Sequence, residues 1–176
     1  MQKLNYEGSK GLLLAVLALF LLALLAYRLN LPEEMPEDFT FSLTWGVSGH
    51  STYDGETGLL VKTDDVVELS PEDFQTTLSL SKEQREQAYR LIHKMNIFAY
   101  PENYHPGLSR SDPPCTLGVT VRLGDTEKRV VCYNVGSYDH ATLKGRRFLD
   151  TCWGLVEMVT ATPEWKALPD YEVYYE

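Results

Sequence analysis

Apolar and polar positions alternate with a period of two over residues 39–47. Phe39, Phe41, Leu43, Trp45 and Val47 interleave with Thr40, Ser42, Thr44 and Gly46. Successive side chains of a strand point to opposite faces, so the pattern predicts a strand with one large apolar face. GVSGHS (residues 46–51) then reads as a strand end and turn. Asp54-Gly55 and Thr57-Gly58 are turn residues ahead of a second strand, Leu59-Leu60-Val61. After breaks at Asp64-Asp65 and Ser70-Pro71, Phe74, Thr76, Leu78 and Leu80 alternate with Gln75, Thr77 and Ser79, which predicts a third. The period then changes to that of a helix, with Ala88, Leu91, Ile92 and Met95 on one stripe. Ser81 and Gln84 have the spacing of a capping box at its start, and Asn96 is its stop.

Residues 100–114 hold Pro101, Pro106, Pro113 and Pro114 and read as a long loop. Residues 115–123 and 126–135 flank Gly124-Asp125 as a hairpin. A two-residue turn sets Leu117 opposite Cys132, Val119 opposite Val130 and Arg122 opposite Glu127. In that register Cys115 is only diagonal to Cys132. A last helix is expected from an N-cap at Asp139 to about residue 161. Phe148, Leu149, Cys152, Leu155, Val156 and Val159 form its buried stripe, and Arg146 and Arg147 lie off it. Gly145 and Gly154 weaken it by about 1 kcal/mol each relative to Ala. Pro163 ends it, and Trp165 and Leu168 pin the tail to the domain. The order predicts an α+β domain: an antiparallel sheet of about five strands with two amphipathic helices on one face.

Ahead of this domain, residues 11–27 read GLLLAVLALFLLALLAY without one charge. Seventeen residues of helix rise roughly 25 Å, near the short end of a membrane span. The rival is a cleaved signal peptide, since Lys3 and Lys10 give a basic start. Against it, the apolar stretch exceeds the usual signal core, and its best exit puts a large Leu where cleavage wants a small residue. Lys3 and Lys10 precede the run and Arg28 follows, which biases residues 1–10 to the cytoplasm. The expected organisation is therefore a cytoplasmic segment 1–10, a transmembrane helix 11–27, a Pro-rich acidic stalk 28–38 and an extracytoplasmic domain 39–176. The expected location is the cell membrane, crossed once, with the C-terminal domain outside.

Residues 29–176 carry 13 Lys+Arg against 24 Asp+Glu, a net of −11. That disfavours nucleic acid as a partner, because phosphate binding needs clustered cations. Three cysteines, Cys115, Cys132 and Cys152, leave at least one thiol without an intramolecular bridge. No CxxC pair, HExxH, GxGxxG, P-loop or EF-hand loop is present. GVSGHS fails as a nucleophile elbow, because His50 stands where Gly is required. His50, His93, His105 and His140 have no metal-ligand spacing, so no metal, cofactor or catalytic residue is expected. The candidate binding residues are Tyr100, Tyr104, His105 and Arg110 on the long loop. The rival reading of that loop is a cover whose tyrosines close the sheet edge.

FSLTWGVSGHSTYDGETGLLVKT (residues 41–63 with their neighbours) and the closing EWKALPDYEVYYE resemble uncharacterised extracytoplasmic proteins of Firmicutes-type bacteria. Those carry an N-terminal signal, often of lipoprotein type, before one small domain. The resemblance implies compartment and a single domain, with no established activity and no functional residue. This chain departs from the lipoprotein form, since no Cys follows its apolar run. The leading expectation is an anchored domain that binds a protein or envelope ligand. The alternatives are a membrane-tethered hydrolase, using His105 or His140 with Asp112 or Asp139, and a structural or assembly factor.

Overall fold

The structure, a computed structural model, describes residues 11–22, 31–62, 74–107, 110–136, 138 and 141–169. The chain divides into two compact units, residues 1–32 and 33–176. In the first, residues 11–22 are helical (α1) and exposed. Among the described residues, no helix is long and apolar enough to cross a membrane. The expected span continues to residue 27, and residues 23–27 lie outside the described residues, as does the expected cytoplasmic segment 1–10.

The second unit is α+β. Six strands among the described residues form one antiparallel sheet. They are β1 (Thr40–Val47), β2 (Ser51–Asp54), β3 (Leu59–Val61), β4 (Gln75–Thr77), β5 (Cys115–Leu123) and β6 (Thr126–Cys132), in the order β4-β3-β2-β1-β5-β6. β1 to β4 make a meander running out to one edge. Helix α2 (Lys82–Met95) then returns the chain, so that β5 pairs with the free side of β1. Helices α3 (Leu143–Thr160) and α4 (Pro163–Ala167) close the unit.

The period-two pattern of β1 holds, with Phe41, Leu43 and Trp45 buried and Ser42 and Thr44 half-buried. The hairpin register is the expected one: Leu117 faces Cys132, Val119 faces Val130 and Arg122 faces Glu127. The Arg122 Nε donates to Glu127 Oε2 at 2.8 Å, which reinforces the register on the polar face. Two-residue turn chemistry and alternation agree here, and a slip by one would turn every apolar side chain outward.

Besides the end of β6 at Cys132 rather than residue 135, three boundaries differ from expectation. First, the sheet gains β2, because the turn at residues 48–50 is tight enough to send the chain straight back along β1. Ser48 and Gly49 take left-handed φ of 52° and 76°, and Gly49 N–H donates to Gly46 O at 3.1 Å. Second, the third expected strand shortens to β4, residues 75–77; Leu78 N–H instead donates to Gly58 O in the loop before β3. Third, α3 starts at Leu143 rather than near Asp139. The Thr142 side chain accepts from Gly145 N–H, and Thr142 N–H donates to Pro106 O at 3.2 Å, which holds the incoming chain extended. Asp139 and His140 lie outside the described residues.

Both long helices cover the apolar sheet face. Tyr89 of α2 meets Phe39 edge-on at 4.9 Å. Thr151 of α3 donates to Leu91 O of α2 at 3.4 Å. The predicted α3 stripe is buried in full, and Arg146 and Arg147 are exposed. Pro163 ends α3 but also starts α4, with Thr162 as its cap. Trp165 of α4 lies 5.3 Å from Trp45, and Lys62 Nζ reaches Leu168 O at 3.4 Å, so the tail is pinned as expected. Residues 170–176 lie outside the described residues.

The capping box of α2 is complete: Ser81 Oγ accepts from Gln84 N–H, and Gln84 Oε1 accepts from Ser81 N–H. Ser81→Ala is expected to cost about 1 kcal/mol. A urea titration checks it, as a lower midpoint with an unchanged slope.

Candidate functional site

The long loop closes the sheet edge. Tyr104 N–H donates to Val131 O at 2.8 Å and Val131 N–H to Glu102 O at 2.7 Å, which adds a stretch of parallel pairing beside β6. Tyr100 is buried, and its hydroxyl donates to Lys144 O at 3.0 Å. Its ring meets Tyr104 edge-on at 4.9 Å, and the Lys144 ammonium lies 4.6 Å from the Tyr100 centroid. Burial pushes the Tyr100 phenol up to about 12, with Tyr104 adding to the rise. Tyr100 and Tyr104 thus come together in a packed aromatic cluster on Phe148 of α3. His105 and Arg110 are exposed. His105 Nδ1 lies 3.9 Å from the Cys132 sulfur, and among the described residues it makes no hydrogen bond to Asp112.

All three thiols are free, with Cys132 and Cys152 buried and Cys115 half-buried. Burial pushes each of them up, and for Cys152 the neighbouring Cys132 adds to the rise. Protonated thiols are poor nucleophiles. Among the described residues, no group of three or more His, Cys, Asp or Glu side chains is placed to hold a metal ion.

A different place combines charge with a cavity. Arg85 sits in the first turns of α2, half-buried. Its Nη2 donates to Phe39 O at 2.9 Å and Glu37 O at 3.3 Å. Among the described residues its guanidinium makes no ion pair. A cation near a helix N-terminus opposes the helix dipole, so its neighbours there do not favour the charge. The chain holds it there by tying residues 37–39 to α2.

Arg85 borders two hollows. One, of about 640 Å³, lies along the exposed side of α2 between Glu33, Glu34 and Glu37 and the side chains of Lys82, Tyr89 and Arg90. The other, of about 400 Å³, lies between Arg85, Tyr53, Phe39, Phe41 and the segment Leu78 to Leu80. Tyr53 comes from β2, the strand added by the tight turn. It is 4 % exposed. Its ring packs at 5.6 Å on Phe41, and its hydroxyl has no hydrogen-bond partner among the described residues. Burial pushes the Tyr53 phenol up, the Arg85 guanidinium opposes this, and Asp54 reinforces it.

Reading the chain missed both residues. Tyr53 directly precedes Asp54-Gly55, the expected turn residues, and no strand is expected there. Arg85 carried one visible signal: with Lys82, it puts positive charge at the start of a helix, where Asp and Glu are favoured.

No protein-family model matches this chain, and comparison with curated proteins finds no match.

Proposed function

We propose that this chain is a single-pass membrane protein, held by residues 11–27, whose acidic α+β domain lies outside the membrane and binds a protein or envelope ligand. The uncharged run of seventeen residues supports the anchor, and the Lys3 and Lys10 side supports a cytoplasmic N-terminus. The resemblance of the opening strand and tail to extracytoplasmic proteins of Firmicutes-type bacteria supports the same compartment. Binding is carried by one observation: Arg85, a cation without an ion pair among the described residues, lies between two hollows of the domain. Tyr100 and Tyr104 serve by holding the loop on α3, while His105 and Arg110 stay open to a partner.

The test is a C-terminal tag, cross-linking in intact cells, and identification of what co-purifies with the membrane fraction. The expected outcome is a full-length chain in the membrane with a captured partner that Arg85→Gln reduces. A shortened chain released from the membrane would show that residues 11–27 are a cleaved signal. Turnover of an envelope substrate without a partner would replace binding with hydrolysis.

A further inference from the structure

We infer that the exposed start of α3 binds the acidic segment 170–176 of a second copy of this chain. The inference rests on the binding-domain reading and gives it a partner, on a surface other than the two hollows beside Arg85.

α3 begins with charge of the unfavourable sign. Lys144, Arg146 and Arg147 stand in its first two turns, and no acid precedes Asp150 on the helix. The positive end of the helix dipole opposes cations there. Lys144 is engaged: its ammonium lies 4.6 Å from the Tyr100 centroid and donates to Ala99 O. Arg146 and Arg147 are exposed, and their guanidinium groups make no ion pair or hydrogen bond among the described residues. Leu143, three and four residues before them, shares their side of the helix. At 82 % exposure it is the most exposed large apolar side chain among the described residues.

The long loop brings more to this end of the domain. Pro106 O accepts from Thr142 N–H, and Tyr104, two residues earlier, is bonded to Val131 O. Two residues span at most about 7 Å, so α3 starts beside the end of β6. Tyr133 leaves that end of β6 and is 53 % exposed. Ser111 N–H donates to Asn134 Oδ1 at 2.8 Å, which holds Arg110 at the same end. The Arg110 guanidinium is exposed and likewise has no ion pair among the described residues. Arginine and tyrosine are enriched at protein interfaces, here around an open leucine.

Charge and sequence name the occupant. Residues 170–176 read DYEVYYE. Asp170, Glu172 and Glu176 match the three open arginines, and the tyrosines and Val173 supply apolar surface for Leu143 and Tyr133. Arginine pairs with carboxylates bidentately and stacks on aromatic rings. The segment of the same copy is badly placed to do this. Leu168 is held at the end of β3 by Lys62, four strands from β6, which is about 19 Å across the sheet. Residues 169–176 extend at most about 28 Å, so reaching α3 in the same copy leaves too little chain to lie along the patch. Two copies can exchange segments reciprocally, a closed two-fold arrangement in which the contact is made twice.

The test weighs the full-length chain in a nonionic detergent by sedimentation, at a solvent density that cancels the detergent. The expected result is a dimer that forms at roughly 10–100 μM, in keeping with a small interface. It should dissociate as salt rises from about 0.05 to about 0.5 M. Two variants reverse one side each: Arg146→Glu with Arg147→Glu, and Asp170→Lys with Glu172→Lys. Each alone should associate at least about tenfold more weakly, because like charges then face each other. An equimolar mixture should restore the dimer, since each segment then meets the opposite charge on its partner's helix. The arginine variant should melt at the same temperature or higher, because Glu suits a helix N-terminus, so unfolding would not explain its loss of association.

A wild-type chain that sediments singly up to about 200 μM would overturn the inference. So would a dimer unchanged in both variants, or a mixture that fails to restore it. Association lost in the arginine variant but kept in the Asp170 and Glu172 variant would place another acidic surface on α3 and overturn the assignment to this segment. Each of these results leaves a cross-linked partner of another kind standing, so the two readings fail separately.

Discussion

Phe148→Ala is expected to lower the stability of the domain by about 3–5 kcal/mol. Phe148 is wholly buried on α3. Its ring lies 5.4 Å from Tyr104 and 6.0 Å from Tyr100, so it is the platform on which the loop's tyrosines rest. Truncation removes the transfer free energy of the ring and leaves a cavity. The hydrogen bonds of Tyr104 N–H and Glu102 O to Val131 fix the loop backbone and prevent collapse into that space. A domain of this size has a total stability of about 5–15 kcal/mol, so the change takes a large share of it. Urea unfolding followed by tryptophan fluorescence measures it. A loss under about 1 kcal/mol would mean that Tyr100 and Tyr104 repack, and that the loop is less firmly held than its hydrogen bonds indicate.

Gly145→Ala is the second, and its sign is the point. A helix expected from Asp139 would put Gly145 in its interior, where Gly is less stable than Ala by about 1 kcal/mol, so helix propensity alone expects the substitution to stabilise. The structure expects the reverse. A Cβ at residue 145 would stand 2.1 Å from the Pro106 carbonyl oxygen and 2.8 Å from its carbon. Both are backbone atoms, and Pro106 O is also the acceptor for Thr142 N–H at the cap of α3. Relief requires moving the loop away from the helix, which strains or breaks that cap. Overpacking of this kind costs about 1–3 kcal/mol, more than the propensity gain. The expected net is a lower melting temperature, with a larger deficit for Gly145→Val. A rise in melting temperature on Gly145→Ala would mean that the loop yields freely, and it would weaken the view of residues 100–107 as a fixed cover. Gly154 is the internal control: a Cβ there meets only the Leu91 side chain at 3.5 Å, an ordinary contact.

The two glycines show where reading the chain reaches its limit. Both were legible as helix weaknesses, and no local pattern shows how much space surrounds each. The difference is made by a carbonyl 39 residues away in sequence. The loop tyrosines are similar. Their aromatic character marked them for notice, but whether they face a ligand or a helix depends on Phe148 and Lys144. The Arg85 site is the extreme case. Tyr53, Phe39 and Arg85 lie on β2, just before β1, and on α2. The hydroxyl is notable only because nothing among the described residues bonds it, a property that no sequence window contains.

What the sequence determined by itself is the set of features decided by neighbours along the chain. The β5–β6 register follows from a two-residue turn and alternation. The start and stop of α2 follow from Ser81, Gln84 and Asn96. The buried stripe of α3 follows from helical spacing. The α+β class follows from the order of these patterns. The tertiary structure alone decided the sixth strand, the cap of α3 at Thr142, the closure of the β6 edge by the loop, and the hollow that Arg85 and Tyr53 both border. Each of these depends on which distant backbone group takes up a hydrogen bond or occupies a volume. Such long-range pairings are settled by packing over the whole core, where local propensity carries no information about the partner.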